Sequence, residues 1–107
     1  MKVMTFDPDN PLAVEIRQEM AEAYFAACRK MVNSLEALKA FNQTLVSPTL
    51  DNAQAKRRSE LLEEAAERVH FVLIQREAMN LSGYEAFFEA YEVPHEVKGQ
   101  LGKSRRK

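Results

Sequence analysis

Seven residues near the start of the chain, Ile16, Met20, Tyr24, Cys28, Met31, Leu35 and Leu38, are separated by four, four, four, three, four and three positions. That rhythm follows the turn of an α-helix, whereas a strand shows every second residue on one face. The chain is therefore committed early to one long amphipathic helix. Asn10 and Pro11 supply its start, an N-cap followed by a proline whose fixed φ is already helical and whose missing N–H costs no bond there. The helix is expected to reach about Phe41 or Asn42. A stripe of this kind must be buried against something else.

The next helix supplies that cover. Gln43 to Asn52 reads as a loop around Pro48, with Asp51 or Asn52 as a cap. From about Ala53 to Asn80, Leu62, Ala66, Val69, Leu73, Arg76 and Met79 share a face, widened by Leu61, Ala65, Phe71, Ile74 and Ala78. Between Phe71 and Ile74 no polar residue occurs, so this turn calls for cover on several sides. Ser82 and Glu85 have the spacing of a capping box for a short third helix to about Glu92. That helix carries Tyr84, Phe87, Phe88 and Tyr91 on one face, as a cap for the apolar turn. Pro94 opens a fourth short helix with Val97 and Leu101 four apart and Gly102 as its stop. The expected fold is all-α: an antiparallel hairpin of two long helices, then two short C-terminal helices, assembled into a helical bundle. If the hairpin turns near residue 47, residue i faces roughly 95 − i. Arg76 then meets Glu19, with Glu15 and Glu22 a turn to either side, forming a structural ion pair that a partly buried arginine requires.

Composition agrees with this reading. With 107 residues the chain fits one domain, 1–102, followed by a basic tail at 103–107 that has nothing apolar to bury and is expected to be disordered. Three glycines and four prolines leave little turn chemistry for a sheet protein. A lone cysteine suits a reducing compartment. Asp7, Pro8 and Asp9 interrupt any apolar run of a signal peptide, and no stretch is apolar enough to span a bilayer, so a cytoplasmic protein without membrane contact is expected. The chain holds 15 basic and 16 acidic residues, and four of the basic ones lie in the last five positions. The remaining 11 against 16 give the body a charge of −5, which opposes a broad nucleic-acid surface.

Residues with chemical potential are few. Glu67 and His70 form one Glu-x-x-His, half of a di-iron carboxylate motif, and Glu92 and His95 form a second that Pro94 interrupts. Cys28 lies in the apolar stripe, where a thiol acts as a small hydrophobe. There is no Gly-rich phosphate loop, Cys-x-x-Cys or nucleophile elbow. Glu85 to Leu101 has the outline of a helix-turn-helix, but Phe88 is bulky for a close crossing, Glu92 replaces the usual turn glycine, and Lys98 is the one base on the second helix. No catalytic, cofactor-binding or metal-ligating residue is assigned.

From about Glu60 to Gly102 the residues Ala66, Val69, Phe71, Val72, Gln75-Arg76-Glu77, Leu81, Tyr91, Val93-Pro94, Glu96-Val97 and Leu101-Gly102 form a pattern. It resembles a family of small, uncharacterised bacterial all-helical proteins, a domain of unknown function. The sequence departs from that pattern at His70, where a large aromatic is expected, and at Asn80, where glycine is expected. The resemblance implies a helical fold and a bacterial origin, and brings no functional residue with it.

The expected role is a non-enzymatic helical interaction protein, self-associating with a dimer favoured, or binding a protein partner. Its candidate interaction residues are Phe71, Val72, Ile74, Tyr84, Phe87, Phe88 and Tyr91, since a two-helix contact leaves apolar surface to spare. A nucleic-acid-binding or regulatory protein using the C-terminal helices and tail is the alternative, and a metal-dependent bundle enzyme the third reading.

Overall fold

A computed structural model describes residues 11–104, which form four helices and, among the described residues, no strand: α1 (Pro11–Thr44), α2 (Asn52–Ala78), α3 (Tyr84–Ala90) and α4 (His95–Ser104). The expected all-α hairpin with two short C-terminal helices is the observed architecture. α1 packs along α2, and α4 packs on α2. The expected N-cap at Asn10 and the residues from Arg105 onward lie outside the described residues.

The helix ends show how local chemistry sets this order. Asp51 caps α2 by a capping box: its Oδ1 accepts from the Gln54 N–H at 2.7 Å, and Gln54 Oε1 accepts from the Asp51 N–H at 3.0 Å. α2 stops in a Schellman turn. The Leu81 N–H donates to the Arg76 carbonyl at 2.8 Å and the Asn80 N–H to the Glu77 carbonyl at 3.0 Å, with Asn80 left-handed at φ 59°. α3 stops the same way through Val93 to Phe88 at 2.9 Å and Glu92 to Glu89 at 3.1 Å, with Glu92 left-handed at φ 50°.

Two expected boundaries are corrected. Ser82 and Glu85 make no capping box; Gly83 is the N-cap of α3, at φ 84° and without a side-chain cap. The reason is that the chain must turn back sharply after the left-handed Asn80, and Gly83 accepts a second left-handed position without a Cβ clash. Gly102 does not stop α4, which runs through it to Ser104; Leu101, buried in the core, anchors that last turn. Pro94 is the cap of α4 and precedes its first residue, since its carbonyl accepts from the Val97 and Lys98 N–H groups.

The core is one cluster. α1 contributes Ala27, Cys28, Met31, Leu35 and Leu38; α2 contributes Leu61, Ala65, Ala66, Val69, Val72 and Leu73; Phe87, Val93, Val97 and Leu101 close it from the C-terminal segment. Replacing Glu92 by glycine removes the cost of holding an L-residue left-handed, and should raise the unfolding free energy by about 1 kcal/mol, read as a shifted urea midpoint with unchanged slope.

Candidate interaction surface

Arg76 is the polar centre of the hairpin, and its partner differs from the expected one. Its Nη1 donates to the Tyr24 hydroxyl at 3.1 Å, its Nη2 donates to the Ser82 carbonyl at 2.8 Å, and its guanidinium stacks 5.0 Å from the centroid of Phe87. Glu19, expected to pair with it, is exposed further up α1. At the other end of the seam Arg58 Nε donates to Asn42 Oδ1 at 3.0 Å and its Nη2 pairs with Glu96 of α4. Both cross-helix pairs, 24 with 76 and 42 with 58, follow 100 − i where the loop position suggested 95 − i. A helical side chain covers the turn N-terminal to its own Cα. In antiparallel helices this displaces both contacting residues toward their C-termini, and long arginines displace them most.

This register exposes the start of α1. α2 ends at Ala78, opposite residue 22 or a little before, whereas α1 continues back to Pro11. Every described side chain from Leu12 to Met20 is exposed; burial begins with Ala27 and Cys28. Leu12, Ile16 and Met20, one turn apart and 62%, 45% and 39% exposed, continue the apolar seam into solvent. The overhang is about ten residues, or roughly 15 Å of helix. The expected stripe is thus packed from Tyr24 onward, whereas its first two members, Ile16 and Met20, are exposed.

A second apolar surface lies beside the seam. Phe71 and Ile74 are 52% and 49% exposed, while Val72 and Leu73 of the same turn are buried. With Ala23, Ala26 and Ala27 of α1 they line an open groove of about 550 Å³, flanked by Lys30, Arg68 and Glu67. Among the expected interaction residues, Phe71 and Ile74 therefore lie on the surface. Val72 and Phe87 are core residues, 0% and 4% exposed, and are corrected accordingly.

The aromatic face of α3 is directed elsewhere than to Phe71. Phe87 packs on Arg76 and against Phe88 and Tyr91, with ring centroids 5.8 and 5.0 Å away. Tyr84 donates to the Glu77 carboxylate. The Lys98 ammonium lies 5.5 Å from the Phe88 centroid, which engages the base expected of a recognition helix. Tyr84 and Phe88 share a cavity of about 320 Å³ with Leu73, Ile74 and His70, so α3 and α4 shelter one side of the apolar turn. The other side, toward Ala23, Ala26 and Ala27 of α1, stays open as the groove.

Tyr91 lies against Cys28, Tyr24 and Arg76. Burial and a hydrogen bond with the Cys28 thiol raise its phenol above the ordinary 10.0, and Arg76 acts in the opposite sense. Glu67 and His70 both border the groove, yet among the described residues no group of three or more His, Cys, Asp or Glu is placed to hold a metal ion. Among them, too, no helix is long and apolar enough to cross a membrane. The chain matches no protein-family model, no curated protein and no solved structure.

Sequence reasoning missed Arg58, Ala23 and Ala26 and the exposure of Ile16 and Met20. Arg58 was visible in principle: it precedes Arg76 by 18 residues, five whole helical turns, and so shares its face. Arg76→Ala should cost about 2 kcal/mol of stability, whereas Glu19→Ala should change it by less than about 0.5 kcal/mol, both by urea denaturation. For Tyr91 the folded state holds the phenolic proton more tightly than the unfolded chain. Its contribution is present below pH 10.0 and is lost as pH rises through the raised value. Denaturation across alkaline pH should show that decline in the native chain and a smaller one in Tyr91→Phe.

Proposed function

We propose that this chain is a non-enzymatic helical interaction protein that works by associating with itself. The observation that supports this reading is the pair of exposed apolar surfaces: the α1 overhang with Ile16 and Met20, and the groove with Phe71 and Ile74 beside it. Scattered apolar residues on a surface need no explanation, but one-turn spacing along an overhanging helix, next to an apolar groove, makes a continuous strip of the kind that interfaces bury. The chemistry of the groove's polar rim favours binding over catalysis. Lys30, Glu67, Arg68, His70 and Gln75 border it in an open site, and the Cys28 thiol is buried away from it with Tyr91 against it.

Sedimentation velocity of the purified chain over a wide concentration range tests the reading. A dimer or larger closed assembly is expected. A strictly monomeric chain at every concentration overturns it.

A further inference from the structure

Resting on that reading, we infer that the occupant of the groove is the α1 overhang of a second copy, exchanged reciprocally about a two-fold axis. Three features of the chain fit overhang to groove. The first is length: the overhang runs over residues 11–20, and the groove is lined by residues 23–30 of α1 and 67–75 of α2, so each spans about 12–15 Å of helix. The second is surface: Ile16 and Met20 offer a narrow apolar stripe, and the groove offers Phe71 and Ile74 over a floor of alanines that lets a helix approach closely. The third is charge. Glu15, Glu19 and Glu22 border the stripe against one base, Arg17, whereas Lys30 and Arg68 border the groove against one acid, Glu67.

One rotation satisfies all three. If two α1 helices run antiparallel with the axis near Ala21, Ile16 of each comes level with Ala26 and Phe71 of the other, Met20 with Gln75, and Glu15 within reach of Lys30. The same operation seats the second overhang in the first groove, so the contact is isologous and closes at two chains. Each overhang then lies beside the partner's α2, where its own α2 has ended, and the hairpins complete each other as an antiparallel bundle.

The test is site-directed cross-linking in a Cys28→Ala background, which removes the only native thiol. Ile16→Cys and Phe71→Cys chains are oxidised separately and as a mixture. A cross-linked dimer is expected from the mixture and from neither chain alone, because homotypic positions stand about ten residues, roughly 15 Å, apart along the bundle, beyond the reach of a disulfide. In the native background, Lys30→Glu should weaken dimerisation about fivefold and Glu15→Lys, added to it, should recover most of that loss. If the native chain dimerises but the mixture gives no cross-link and the charge exchange has no effect, this occupant is wrong while self-association stands. If the native chain is monomeric, both fall together.

Discussion

The α1–α2 seam is the constraint on which everything else depends. Cys28, Met31, Leu35 and Leu38 pack against Leu61, Ala65, Val69 and Val72, and the two helices are unequal partners, 34 residues against 27. A seam of fixed register between unequal helices must leave one of them partly bare. The Schellman turn at Asn80 decides which one, because it ends α2 and sends the chain sideways into α3 instead of along α1. The exposed strip at Ile16 and Met20 follows from where α2 stops.

Arg76 joins the two consequences of that stop. It sits in the last turn of α2, where a cation is favoured by the helix dipole, and its guanidinium holds Tyr24 on α1, the Ser82 carbonyl after the turn and the Phe87 ring on α3. One side chain therefore fixes the hairpin register and the direction in which the C-terminal segment folds back. Arg58 performs the corresponding task at the loop end by holding Asn42 and Glu96. The C-terminal segment is thereby held over the hairpin, sheltering one side of Ile74, while its other side and Phe71 are left to line the groove.

Most of the fold was legible because helical periodicity is a strong signal and the loop at Pro48 interrupts it cleanly. Each of the four helices falls where the apolar spacing places it, within a few residues. What was not legible were features that depend on three dimensions at once. The ion pair of Arg76 with Glu19 failed because loop position fixes a register of backbones, while polar contacts form between side chains that lean toward their helix N-termini. The capping box at Ser82 failed because the pattern ignores backbone geometry: Gly83, left-handed at φ 84°, takes the cap position. Treating Phe71 to Ile74 as one surface failed for Val72 because a helix turn faces all directions, and α1 already occupies that side. Asn80 is a further position that periodicity does not mark: its left-handed φ of 59° is a conformation that asparagine tolerates.

The central claim is that the first turns of α1 are covered only when a second chain is present. Hydrogen–deuterium exchange of backbone amides in residues 14–21, followed as a function of protein concentration, tests it directly, since protection of an overhanging helix has to come from outside the chain. Protection that rises with concentration, in step with the fraction of associated chain and alongside a matching rise over residues 67–75, is the predicted result. Rapid exchange of the overhang that is independent of concentration would contradict it.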